Sequence, residues 1–169
     1  EIAIVNRNMQ AYLLKIFMLF GAFALDIFLN ALPPPLNLIS LTTILLGLSI
    51  LVLNTQTTLF LTLMGGVLQD YQTMSLFGLH AALYSIALGI VVLLRSTIIT
   101  HESRFSLFLV LLIYNACYFF GLAILTMRFS LVVFEESIFR TLLNTAISFC
   151  LLLLIRQVYR EITKRFISP

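Results

Sequence analysis

The chain has 169 residues, 61% of them hydrophobic and only 10% charged, with a mean hydropathy of +1.09. A water-soluble domain carries about a quarter charged residues and cannot hide this much apolar surface in one core, so the solvent is a bilayer. The formal charge of +3 sits between and beyond the apolar runs rather than on one water-exposed patch; this argues against nucleic acid as a partner and leaves membrane lipid as the surroundings.

The first apolar run, residues 12–32, ends at Pro33-Pro34-Pro35, where the missing N–H groups and the restriction on the preceding residue stop a helix. A cleaved export signal is not expected there: the run is long, Asp26 and Asn30 fall in its second half, and no small-x-small site follows. The second run, residues 36–53, closes at the polar patch NTQTT (54–58). The third, residues 59–70, is short, about 18 Å of helix against a hydrocarbon core of about 30 Å. It is either a full crossing that borrows Thr57 and Thr58 or a discontinuous helix that ends inside the protein.

Three more runs follow, at 76–94, 105–127 and 137–155, and then a basic tail from Arg156. No connection is long enough to fold separately. The expectation is one all-α integral membrane domain, residues 1–169, with about six transmembrane helices. With both termini cytoplasmic, Arg7, Lys15, Arg95, Arg104, Arg156, Arg160, Lys164 and Arg165 lie inside, and only Arg128 and Arg140 lie outside. Five crossings would strand the basic tail on the wrong side, so the positive-inside rule favours six.

Polar residues inside the runs are candidates for packing or binding. Ala22, Asp26 and Asn30 are spaced by four and share a helical face, which should turn away from lipid. A solute or proton site and an outer-leaflet polar contact both fit, and the absence of lysine or arginine from the outer half of that run favours the contact. In the sixth run Thr141, Asn144, Thr145 and Ser148 form a stripe, with Asn115 of the fifth as its facing partner. Ala81, Ser85 and Gly89 make a small-residue ladder suited to close helix packing. Glu135 and Glu136 precede Ser137 as a favourable helix start, with Arg140 in reach of Glu136. Cys117 and Cys150, without metal-like spacing, read as small packed hydrophobes.

The stretch GGVLQDYQTMSLFGLHAALYSIALG (65–89) sets Asp70 and His80 among Gly65, Gly66 and Gly78. An acid–imidazole pair can orient a general base, but no serine elbow, HExxH or C-x-x-C accompanies it. His101 sits with Glu102 and Arg104 in a solvated loop. No catalytic, cofactor or metal site is expected. Glycine permits close approach or a bend where a helix turns back, and Asp70 is placed to receive backbone hydrogen bonds from the returning chain.

Gly66-x-x-x-Asp70 followed by Gly78-Leu79-His80-Ala81 resembles the most characteristic stretch of the bacterial rod shape-determining MreD family. The resemblance covers nearly the whole chain, including the early proline break and the basic C-terminal helix end. It departs in the oily turn Met74-Ser75-Leu76-Phe77. The resemblance implies a non-enzymatic inner-membrane component of the cell-elongation complex that supports peptidoglycan synthesis. It implies a bitopic MreC-like partner and, through the wider complex, MreB, RodA and a class B penicillin-binding protein. It also implies a fold like the six-helix substrate-binding subunits of energy-coupling factor transporters. The alternative is such a solute-binding subunit itself. Asp26, Asn30, Gly65, Gly66, Asp70, Gly78, His80, Ala81, Ser85 and Gly89 are the expected structural or partner-binding residues.

Overall fold

The structure, a computed structural model, describes residues 2–73, 77–98, 103–126 and 130–167, with side chains described over 13–73, 77–94, 103–126 and 130–161. Met74, Ser75 and Leu76 of the oily turn, His101 and Glu102, and the side chains of Arg7, Arg95, Arg128, Lys164 and Arg165 lie outside those residues.

Six α-helices make up almost all of the described chain: α1 (Ile2–Asn30), α2 (Leu41–Val52), α3 (Thr55–Thr73), α4 (Leu79–Ile98), α5 (Arg104–Leu125) and α6 (Leu131–Ile167). The protein is an all-α polytopic membrane protein. Three stretches, Leu13–Asn30, Arg104–Leu125 and Leu131–Glu161, are long and apolar enough to cross a bilayer, and Leu41–Val52 and Leu79–Leu94 are shorter apolar helices. Large apolar side chains such as Phe17, Phe77, Phe105 and Leu131 are more than 70% exposed, as lipid-facing residues are.

The helices differ from the sequence expectation at their ends, each time for a capping reason. The run at 36–53 is not one helix. After the prolines the chain makes a 3-10 turn, Leu36–Leu38, and extends through Ile39 before Ser40 caps α2 by accepting the Thr43 N–H. The 12-residue α2 is therefore the short helix, about 18 Å long. The third run is longer than its apolar part. Asn54 Oδ1 accepts the Thr57 N–H at 2.9 Å, and the helix is continuous for 19 residues with Thr57 and Thr58 in its first turn. The Thr58 hydroxyl donates to the carbonyls of Asn54 and Ser49, so the polar patch is helix rather than loop. α6 starts at Leu131, capped by Ser130, which moves Glu135 and Glu136 into its second turn; the Glu136–Arg140 ion pair forms at 2.7 Å. The basic tail continues the same helix.

Consecutive helices run antiparallel, and α2 sits in the middle with Thr42 to Ile44 and Leu46 to Ile50 buried. Its Leu46 packs with Leu19, Leu83, Ala87, Val91 and Val110 of the surrounding helices and with a stack of tyrosines. α1 is peripheral: among its described side chains only Leu19 and Asp26, two turns apart, are buried. Asn30, one turn beyond Asp26, is exposed, so it does not share the buried face.

Gly66 marks the closest approach in the fold. A Cβ there would run into the backbone of Ala81 on α4, whereas at Gly65 it would meet only the tip of Leu46, at 3.1 Å. Gly89, at the far end of the Ala81–Ser85–Gly89 ladder, has open space around it. Gly66→Ala is expected to cost about 1–3 kcal/mol or more through overpacking against backbone. Gly89→Ala should be neutral or stabilising by up to about 1 kcal/mol. Parallel unfolding of both variants in detergent checks the pair; a Gly66→Ala protein as stable as the parent would refute the close contact.

Candidate functional site

The polar residues gather at one end of the bundle, where α2, α4 and α6 begin and α1, α3 and α5 end. Two carboxylates organise it, each from the helix before the one it caps. Asp70, near the end of α3, accepts the N–H of Gly78 at 2.9 Å through Oδ2 and that of His80 at 2.8 Å through Oδ1. Gly78 has φ +93°, a conformation that favours glycine, and it aims both amides at the carboxylate. Asp26 does the same for α2: it accepts the N–H groups of Leu41 and Thr42, the second at 2.9 Å, and the hydroxyl of Ser40 at 3.3 Å.

Asn144 of α6 holds the irregular chain ahead of α2 from the other side. Its Oδ1 accepts the Ser40 N–H at 2.9 Å, and its Nδ2 donates to the carbonyls of Leu38 and Arg140. Non-helical backbone at membrane depth needs such partners. The rest of the α6 stripe is also buried: Thr145 accepts from Asn115 Nδ2 at 3.2 Å, while Thr141 and Ser148 donate to carbonyls of their own helix.

Asp70 and His80 do not form a side-chain acid–imidazole pair. The carboxylate meets the His80 backbone, and the ring turns to α5, where Nδ1 lies 2.9 Å from the Tyr118 hydroxyl. Tyr118 stacks on Tyr84, with centroids 4.1 Å apart and planes 7° from parallel. The Tyr84 hydroxyl lies 2.8 Å from Thr43 Oγ1, which lies 2.8 Å from Ser40 Oγ, the group that reaches Asp26. Hydroxyls therefore link Tyr84 to Asp26, and the Tyr84–Tyr118 ring stack sets the His80 contact beside them. Sequence reasoning missed the tyrosines, although Tyr114 and Tyr118 are one turn apart in an apolar helix, a visible signal.

Beside His80 is a cavity of about 380 Å³ between the ends of α3 and α5 and the starts of α4 and α6. Leu79, Phe119, Leu122 and Val133 supply apolar walls, and His80, Glu136, Ser137 and Arg140 supply polar ones. Among the described residues no three His, Cys, Asp or Glu side chains group as metal ligands would. Of the expected site residues, Gly66, Asp70, Gly78, His80 and Ala81 come together in the α3–α4 hairpin, and Gly65 faces α1 and α2 through Leu19, Thr42 and Leu46. Asp26 belongs to the α1–α2 hairpin. Ser85 donates to the Ala81 carbonyl and is half-buried, while Asn30 and Gly89 face outward. No family model matches the chain, and no curated protein or solved structure is significantly similar to it.

Removing either carboxylate leaves buried N–H groups without a partner, at about 1–3 kcal/mol each. Asp26→Ala is expected to destabilise the protein by about 2–6 kcal/mol, because it orphans two amides and the Ser40 hydroxyl. Unfolding of the variant by denaturing detergent tests this. An Asp26→Ala protein of parental stability would show that the cap contributes nothing.

Proposed function

We propose that the protein is a non-enzymatic inner-membrane component of the bacterial cell-elongation complex, in the manner of the MreD family. In this reading it binds a bitopic MreC-like partner and, through it, stands near MreB, RodA and a class B penicillin-binding protein. The observation that carries the proposal is the use made of the resembling residues. Gly66, Asp70, Gly78, His80 and Ala81 build one hairpin, with Asp70 committed to backbone amides rather than to a reacting atom. What the chain leaves open is apolar helix surface. α1 presents Met18, Leu25 and Phe28, and α4 presents Ile86, Gly89 and Leu93. A protein with short loops meets a single-pass partner through such faces, and an exposed glycine beside apolar residues suits close helix contact.

The proposal includes six crossings, a fold of the energy-coupling factor subunit type, and both termini in the cytoplasm, which puts the capped end outside. In a cysteine-free background, a cysteine at position 34 should react with an impermeant reagent added to intact cells, and one at position 54 should not. The reverse pattern would invert the orientation.

One observation favours a second reading, a solute-binding subunit of an energy-coupling factor transporter: the cavity beside His80 with its polar and apolar walls. Photocrosslinkers at positions 18, 25 and 28 and at 86, 89 and 93 separate the readings. The elongation role predicts an adduct with an MreC-like protein from at least one set and loss of rod shape on depletion. A retained complex without adducts moves the contact to other surfaces. Adducts with an energising transmembrane subunit, together with normal shape on depletion, would replace the elongation role by transport.

A further inference from the structure

A second cavity, of about 430 Å³, lies at the opposite end of the bundle, between the last turn of α2 and α6. Leu152 is its buried floor, Val52 and Ile155 are apolar walls, and Arg156, Tyr159 and Arg160 supply its polar side. The five α6 residues follow the i, i+3, i+4, i+7, i+8 spacing of one helix face. Arg156 and Arg160 are one turn apart on that face, a spacing at which like charges repel. No carboxylate is among the described residues that line the cavity. Glu161, the nearest acid in sequence, is about 100° round the helix from Arg160.

Helix length sets the depth of this cavity. Residues 141–155 of α6 carry no charge, and from Glu136 to Arg156 the helix rises about 30 Å, the thickness of the hydrocarbon core. With the Glu136–Arg140 pair at one interface, Arg156 and Arg160 stand at the other, level with lipid phosphates. Tyr159 suits the same level, where its ring meets apolar surroundings and its hydroxyl polar ones. On the facing wall α2 ends at Val52, and the polar patch begins at Asn54. Val52, Ile155 and Tyr159 line the cavity and are themselves 49–71% exposed, so it is open to the lipid around it. Among the described side chains this end of the bundle carries Lys15, Arg104, Arg156 and Arg160 against Glu161 alone.

We propose that this cavity binds the phosphate of an anionic membrane phospholipid, one whose headgroup carries no ammonium. The two guanidiniums donate to the phosphate oxygens, and an anion held between them offsets their mutual repulsion. The first methylenes of an acyl chain lie against Val52, Ile155 and Leu152. A zwitterionic lipid would bring its ammonium to the same two arginines and lose that gain. Arginines that only orient the chain need a place near the interface. They need no cavity, and no apolar wall from a second helix. The inference holds for either function and for either orientation of the chain.

The test uses the full chain in nanodiscs of equimolar phosphatidylglycerol, phosphatidylethanolamine and phosphatidylcholine, with native mass spectrometry of the lipids released with the protein. Phosphatidylglycerol should be retained over phosphatidylcholine by at least about tenfold, which corresponds to about 1.4 kcal/mol. The double variant Arg156→Gln/Arg160→Gln should abolish that preference. A charge-matched control, Lys15→Gln/Arg104→Gln, removes two cations from the same end but none from the cavity, and should keep it. Val52→Trp retains both arginines and fills the cavity from a wall that is already exposed, and should also lower the preference. It keeps the test valid if the arginine variant fails to fold. Equal retention of the glycerol and choline lipids overturns the proposal, as do equal losses in the two double variants or an unaltered preference in Val52→Trp. Displacement of the lipid by excess soluble glycerol 3-phosphate overturns the lipid source and assigns the arginines to a free phosphate.

Discussion

A helix that begins inside a membrane protein has amides with no water to meet them, and each unanswered one costs several kcal/mol. This protein answers two such helix starts with carboxylates borrowed from the preceding helix: Asp26 for α2 and Asp70 for α4. A cap taken from a neighbour does more than a local serine or asparagine does. It satisfies the amides, places negative charge at the positive end of the helix dipole, and locks two antiparallel helices in register. The α3–α4 seam depends on that register. Asp70 sets where α4 starts, and one turn earlier on the same face Gly66 lets the Ala81 backbone close on α3. A shift of one residue would bring a side chain to that contact.

The same arrangement explains how α2 can be so short. Its chain spends residues 36–40 outside the α-helix, where carbonyls and amides need partners that lipid cannot give. Asn144 of α6 meets the Ser40 N–H and the Leu38 carbonyl, and Asp26 of α1 meets the Ser40 hydroxyl and the first amides of α2, so the irregular segment is clamped between two helices far apart in sequence. With polar groups concentrated at these junctions, the outer faces stay apolar. The interior thus combines an apolar core with polar junctions, while the outside is greasy, as a bilayer solvent requires.

The bilayer setting, the helical class and the rough position of each run are legible in composition and hydropathy. So is Asp70 as a group for the returning chain, since an aspartate one turn past a glycine pair has few other uses in an apolar run. The helix ends are less legible because caps decide them. Ser40 hides inside an apolar stretch, and Asn54 makes a polar patch helical. Glu135 and Glu136 resemble a helix start although Ser130 supplies it. The reach of Asp26 is not legible at all. Spacing places Asn30 on its face, but only the path back from the prolines shows that α2 starts level with Asp26 and leaves Asn30 outside. Nor does spacing reveal that Tyr84 and Tyr118 stack, because they lie on different helices.

The Asp26 cap also anchors the helix that buries least. Among its described side chains α1 buries only Leu19 and Asp26, and the rest are exposed or half-exposed. Asp26 meets the amides of Leu41 and Thr42 and the Ser40 hydroxyl, and contacts of 2.8 Å carry the network on through Thr43 to the Tyr84 hydroxyl. A helix whose polar residue is answered in this way needs little apolar burial of its own to stay in place, because its remaining side chains are already in their preferred solvent, the lipid.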